Sequence, residues 1–120
     1  MKIFVIDDSS FSRKAIISVL KEIVPDATIL PFGDGEEALA QFPIEKPDAM
    51  TVDIVMPKIQ GLELIEKVRA TGIETRIVAI TSDVQSSTRA RCAEFGATFI
   101  EKPFTRDKTA LLTQGLSIPV

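Results

Sequence analysis

Short apolar runs alternate with amphipathic stretches along the whole chain, so the hydrophobic period switches repeatedly between that of a strand and that of a helix. Five runs read as strands: Lys2 to Asp7, Ala27 to Phe32, Asp48 to Asp53, Arg76 to Ile80 and Thr98 to Glu101. Ile3-Phe4-Val5-Ile6 and Ile77-Val78-Ala79-Ile80 are uninterrupted, as expected of interior strands covered by helices on both faces. Alternation of this kind predicts an α/β domain with a parallel sheet. Pro31 has no N–H to give to a ladder, which places the second strand at an edge. With right-handed crossovers, that position suits the order 2-1-3-4-5, whereas 3-2-1-4-5 would bury Pro31. The expected architecture is a three-layer, doubly wound, five-stranded sheet with five helices.

Ile16, Ile17, Leu20, Ile23 and Val24 line one face of the first helix, with Ser9 or Ser10 as its N-cap. Asp34-Gly35-Glu36-Glu37 is a variant of the capping box, ahead of a helix that buries Ala38, Leu39 and Phe42. Leu62, Ile65 and Val68 mark the third helix. In the fourth, Val84, Thr88, Cys92 and Phe95 share a face, and Gly96 serves as C-cap. The fifth follows Thr105 and carries Leu111, Leu112 and Leu116, with Gly115 and Pro119 expected to fray it.

Length and composition narrow this picture without changing it. A chain of 120 residues builds one domain around one core, here residues 1–120, with no linker or repeat dividing it. Apolar residues at 45% and charged residues at 26% predict an ordered globular protein. The 14 basic and 17 acidic residues are scattered and leave a net charge of -3, with no basic block to hold a nucleic-acid backbone. Asp7 and Asp8 cut short the N-terminal apolar run, and no other run is long enough to span a membrane, so a cytoplasmic location is expected. Cys92 is alone and falls on the buried face of the fourth helix, where it packs as a small hydrophobe. Without histidine the chain lacks the commonest general base and cannot be a phosphohistidine donor.

The chemistry comes from polar residues at strand ends. Asp7 and Asp8 close strand one, Asp53 closes strand three, Thr81 follows strand four and Lys102 follows strand five. A parallel sheet brings all of these ends to one edge, where open α/β folds bind ligands. Three carboxylates held together repel unless a cation joins them, and magnesium is content with a few carboxylate oxygens plus water and substrate phosphate. Mg2+ is therefore expected, with Mn2+ as a substitute, on Asp7, Asp8, Asp53 and a backbone carbonyl near Val55. A carboxylate can attack phosphorus, and the protein's remaining work is positioning and charge neutralisation. Asp53 is assigned as the nucleophile, while Lys102 and the Thr81 hydroxyl are assigned to the phosphoryl oxygens.

At these residues the chain resembles the receiver domains of bacterial two-component response regulators. The resemblance rests on Val5-Ile6-Asp7-Asp8-Ser9-Ser10, on Asp53-Ile54-Val55-Met56-Pro57 with Gly61, on Ala79-Ile80-Thr81-Ser82, on Gly96-Ala97 and on Lys102-Pro103-Phe104. It implies a flavodoxin-like fold and a phosphoryl group received by Asp53 from a histidine kinase or phosphotransfer protein. It also implies magnesium on the acidic pair, a cis Lys102-Pro103 bond, and a switch made by Thr81 and Phe99. On this pattern Thr81 moves toward the phosphoryl group, Phe99 enters the space it leaves, and the altered surface is helix four, strand five and helix five. Only Thr98 separates Gly96-Ala97 from Phe99, where the family usually has two residues, so a tighter turn or a shifted register is expected. Val55 and Asp83 occupy positions that tune phosphoryl lifetime in the family, and Asp83 offers water a polar handle there.

The leading expectation is a stand-alone signalling switch, monomeric or weakly dimeric, whose output is a separate protein bound at that surface. Asp7-Asp8-Ser9-Ser10-Phe11-Ser12-Arg13 leans toward the chemotaxis type. The alternative is a relay intermediate that passes phosphate to a histidine phosphotransfer protein. A magnesium-dependent phosphohydrolase with an aspartate nucleophile commonly carries a second acid two residues on, where this chain has Val55. Flavin binding is disfavoured, because Asp7-Asp8 would repel a phosphate and the chain has neither Trp nor Tyr.

Overall fold

A computed structural model describes residues 1–118. The strands are β1 (Lys2–Ile6), β2 (Thr28–Phe32), β3 (Ala49–Val52), β4 (Arg76–Thr81) and β5 (Thr98–Glu101). They form one parallel sheet in the order β2-β1-β3-β4-β5, with Pro31 on the edge strand as its missing N–H requires. The helices are α1 (Ser10–Ile23), α2 (Gly35–Glu45), α3 (Gly61–Ala70), α4 (Ser86–Glu94) and α5 (Thr109–Gly115), with a 3-10 turn at Arg106–Lys108 ahead of α5.

Strand alternation divides the interior in two. Phe4, Ile6, Met50, Val52, Ile77 and Ala79 face α2, α3 and α4, where they meet Phe42, Leu64, Ile65, Val68 and Cys92. Ile3, Val5, Ala49, Val78, Ile80 and Ile100 face Ile16, Val19 and Leu20 of α1 and Leu112 and Leu116 of α5. Each large side chain so buried contributes about 1.5–3 kcal/mol before chain entropy is set against it.

The helix starts follow the sequence closely. Ser9 accepts a hydrogen bond from Ser12 N at 3.2 Å and caps α1, and Asp34 accepts from Glu37 N at 2.8 Å and caps α2. Gly96, with φ of 69°, follows α4, and Ala97 N donates to Cys92 O at 2.8 Å. Beyond the turn, Val78 to Thr81 pair residue by residue with Thr98 to Glu101.

One expectation needs correction. Val84 is exposed and precedes α4, which starts at Ser86, so the buried face of that helix holds only Thr88 and Cys92. Leu111 is exposed beside the buried Leu112, because α5 is a short helix with a narrow covered stripe. Gly115 ends α5 but also lets it approach the sheet: a Cβ there would stand 2.6 Å from Val78 Cγ2 and 3.1 Å from Thr98 Cβ. Pro119, invoked as a second fraying residue, lies outside the described residues. Gly115→Ala should therefore cost about 1–3 kcal/mol through overpacking, read as a lower midpoint in urea with an unchanged slope; an unchanged midpoint would refute the close approach.

Candidate functional site

The site residues are placed by backbone hydrogen bonds that run one step past the ends of the strands. Asp7 N donates to Phe32 O at 3.1 Å, Asp53 N to Ile6 O at 3.0 Å, and Lys102 N to Thr81 O at 2.9 Å. These bonds hold the Asp7, Asp53 and Lys102 backbones to the sheet. A fourth constraint comes from Gly61 at the start of α3, whose N donates to Ile54 O at 2.8 Å. A Cβ on Gly61 would collide with the Asp53 carbonyl oxygen and stand 2.6 Å from Ile54 Cα, so glycine is what allows α3 to begin directly behind the Asp53 turn.

Side chains converge from those anchors. Asp7 is 1% exposed and Asp53 6%, while Asp8 is open to solvent. One carboxylate oxygen from each of the three lies within 4.8 Å of the others. Lys102 Nζ stands 2.9 Å from Asp53 Oδ2 and 2.9 Å from Asp7 Oδ2. The contact to Asp53 is a hydrogen bond, whereas that to Asp7 is an ion pair by distance whose oxygen makes no hydrogen bond of acceptable geometry. The other oxygens accept backbone donors, Asp7 Oδ1 from Ser9 N at 2.9 Å and Asp53 Oδ1 from Val55 N at 3.2 Å.

The electrostatics follow from burial. Loss of water pushes the Asp7 carboxyl above the usual carboxylate range, and the neighbouring Asp53 charge adds to this. The Ser9 amide and Lys102 pull it back only in part. Burial alone would lower Lys102, but its bonds to Asp7 and Asp53 outweigh that and hold the ammonium above the ordinary lysine value. One lysine thus does not neutralise the set. A buried carboxylate oxygen without a hydrogen bond, beside two further carboxylates, is a donor set that suits a hard divalent cation.

Thr81 is fully buried at the end of β4, and its Oγ1 accepts from Asp83 N at 3.1 Å, which leaves its hydroxyl proton free to be donated. Val55 is 56% exposed beside Asp53. Phe99 shares a sheet face with Ala79 and Thr81 and is partly covered, with the Arg89 guanidinium carbon 4.3 Å from its ring centroid. The Lys102-Pro103 bond is cis. Cys92 is buried, which pushes its thiol upward and keeps it apart from this chemistry.

Two participants were not legible in advance. Asp83, read as a handle for water, has both carboxylate oxygens engaged: Oδ1 accepts from Gln85 N at 3.1 Å and Oδ2 from the Thr88 hydroxyl at 2.8 Å. Arg89 had no signal beyond being a charged residue on a polar helix. The Asp-x-x-x-x-Thr spacing from Asp83 to Thr88 was visible, but an Asx turn and an ordinary cap predict nothing so specific.

The model of the response regulator receiver domain family matches residues 3–113. The chemotaxis protein CheY of Listeria monocytogenes is 30% identical over 113 residues, covering 90% of this chain and 91% of that protein. A protein-glutamate methylesterase/protein-glutamine glutaminase of Geobacter sulfurreducens is 33% identical over 115 residues, covering 94% of this chain but only 30% of its own length. Among solved structures, the CheX-CheY complex of Borrelia burgdorferi with BeF3 and Mg has a TM-score of 0.86 at 25% identity over 95% of this chain and 87% of the matched one. Chemotaxis protein CheY4 of Vibrio cholerae gives 0.80 at 26% over 97% and 95%. Among the described residues no helix is long and apolar enough to cross a membrane. With its 2-1-3-4-5 sheet, its acidic cluster and a family match along nearly all of its length, the chain belongs to the response regulator receiver domain family.

Proposed function

We propose that Asp53 accepts a phosphoryl group from the phosphohistidine of a histidine kinase or phosphotransfer protein, and that the chain reports it to an output protein at the α4–β5–α5 face. The observation that carries this reading is Lys102 Nζ at 2.9 Å from both Asp53 and Asp7. A cation fixed there meets the phosphoryl oxygens as they arrive and holds the carboxylate that attacks. A carboxylate oxygen of Asp53 forms the bond to phosphorus while the phosphorus–nitrogen bond of the donor breaks and its electron pair returns to the imidazole. The Thr81 hydroxyl donates to a phosphoryl oxygen.

Asp7, Asp8, Asp53 and the Val55 carbonyl would hold Mg2+ or Mn2+. When bound, the ion supplies neutralisation of the carboxylates and of the incoming phosphoryl oxygens. Val55 offers no second acid, which favours a phosphoacceptor over a phosphohydrolase that turns over small esters. Similarity along most of the Listeria CheY favours chemotaxis signalling in the cytoplasm, through a separate partner, over phosphate relay.

Incubation with acetyl phosphate should add a single phosphoryl group to the intact protein by mass, in the presence of Mg2+ and not in EDTA. Asp53→Asn should abolish it; labelling that survives in that variant would overturn the assignment.

Burial gives the metal-free site a signed pH dependence. Because Asp7 titrates above the ordinary carboxylate range in the fold, the stability from its protonation is complete below that range and is lost as pH rises through the raised value. At neutral pH in EDTA, Asp7→Asn, which never ionises, should melt about 2–5 °C above the wild type. The gap should close as pH falls into the carboxylate range. Saturating Mg2+ should reverse the order, since a ligand at 100 times its Kd stabilises by about 2.7 kcal/mol and the variant lacks one carboxylate to hold it. Calorimetry across pH with and without Mg2+ reads all three; a variant that melts lower in EDTA would contradict this origin of the pH dependence.

A further inference from the structure

Strand β5 is an edge of the sheet, paired with β4 alone. Thr81 stands opposite Glu101, and its carbonyl takes the Lys102 amide at 2.9 Å, so the Glu101 carbonyl turns away from β4 toward the uncovered edge. Such an edge carbonyl has no ladder partner. Lys108, at the entrance to α5, supplies one: its Nζ donates to Glu101 O at 2.6 Å and also to Pro103 O at 2.8 Å. These two carbonyls lie immediately before and immediately after Lys102. Lys108 is half-buried, and its own amide donates to Thr105 O at 2.9 Å, so backbone and side chain are both tied within one short loop. Among the described residues no carboxylate pairs with its ammonium.

We propose that Lys108 is a positioning residue for phosphoryl acceptance: by bonding the carbonyls on both sides of Lys102, it fixes the backbone from which the Lys102 ammonium reaches Asp53 and Asp7. The proposal rests on the phosphoacceptor reading of Asp53 for its chemistry, but the clamp itself does not depend on that reading. Lysine carries its charge on a flexible stem, so the place of Nζ is set by what it meets and by where its backbone starts. Two carboxylates at 2.9 Å define the first. The ladder bond to Thr81 O and the two bonds from Lys108 define the second. Hydrogen bonds from an ammonium are stronger than neutral ones, and a misplacement of about 1 Å in a reacting geometry can cost about a hundredfold in rate.

The same loop provides its own control. Arg106, in the 3-10 turn that carries Lys108, pairs its exposed guanidinium with Glu22 of α1, Nη2 donating to Oε1 at 2.7 Å. That pair ties the turn to α1 and bonds no atom of the Lys102 segment.

Lys108→Met keeps the apolar stem and removes every side-chain donor, whereas Lys108→Arg returns donors. The first readout is hydrogen exchange of the Lys102 amide, followed by NMR without phosphodonor or metal. Lys108→Met should speed that exchange about tenfold while the Val52 amide in β3 keeps its rate. The second is labelling by acetyl phosphate in saturating Mg2+, followed by intact mass. In Lys108→Met the maximal rate should fall about fivefold, with the half-saturating acetyl phosphate concentration changed by less than about twofold. Lys108→Arg should bring both readouts to within about twofold of the wild type, and Arg106→Gln should leave both unchanged. An unchanged Lys102 amide or an unchanged labelling rate in Lys108→Met would overturn the proposal. So would an equal defect in Lys108→Arg or Arg106→Gln, or a matching rise in exchange at Val52, which marks general destabilisation. Failure of the phosphoacceptor reading would look different, as absence of label in every protein while the Lys102 amide still responds to Lys108→Met.

Discussion

One ammonium group stands between two buried carboxylates, and much else in this molecule exists to hold it there. Lys102 reaches Asp7 and Asp53 from the far end of the chain, across β4, at 2.9 Å to each. Without it two buried carboxyl groups would face each other with no positive charge to offset them; with it the pair remains one positive charge short. That shortfall sets the electrostatic character of the site. Asp7 keeps an oxygen without a hydrogen bond, and the donor set around it suits a hard divalent cation.

Holding such charges takes a scaffold that does not relax around them. The ladder bonds from Asp7, Asp53 and Lys102 extend the sheet past its strand ends, so the three backbones sit on the sheet's own lattice and not on free loops. Packing reinforces this from both sides. Gly61 lets α3 close behind Asp53, and Gly115 lets α5 settle onto β4 and β5 behind the strand that delivers Lys102. A closely packed interior resists small displacements, and a carboxylate trio with oxygens within 4.8 Å of one another would spread apart in a looser one.

Much of this was legible in the residues. Uninterrupted runs in β1 and β4 implied two covered faces, and Pro31, with right-handed crossovers, decided between the two common doubly wound orders, because a missing N–H is a local constraint. The site was equally readable, since acids and a lysine that end apolar strands must share an edge once the sheet is parallel. Helix α4 was not. Its sequence, Ser-Ser-Thr-Arg-Ala-Arg-Cys-Ala-Glu, has almost no apolar stripe, so helical spacing drew Val84 in as a false first member. What holds α4 is a carboxylate three residues before its start and a guanidinium on an aromatic ring, contacts made between elements and invisible to any periodicity. Gly115 ends α5 as expected, but its second role, letting the helix approach the sheet, shows only once the partner strand is known.

The same contrast sets how firmly each helix is held to the sheet. Burial energy scales with apolar area, so α1 and α3, with three large aliphatic side chains each against the sheet, are fixed by several kcal/mol that no hydrogen bond at the site can match. Helix α4 buries a threonine and a cysteine, and its remaining ties are hydrogen bonds and one cation–π contact, each worth about 1 kcal/mol net. New bonds to a charged phosphoryl group are stronger than neutral ones. Energies of that size are too small to disturb the sheet or its large helices, and comparable with the polar ties that hold α4. Weak apolar anchoring directly after the Thr81 strand therefore leaves α4 the least firmly held of the long helices, with its Arg89 reaching over the Phe99 ring.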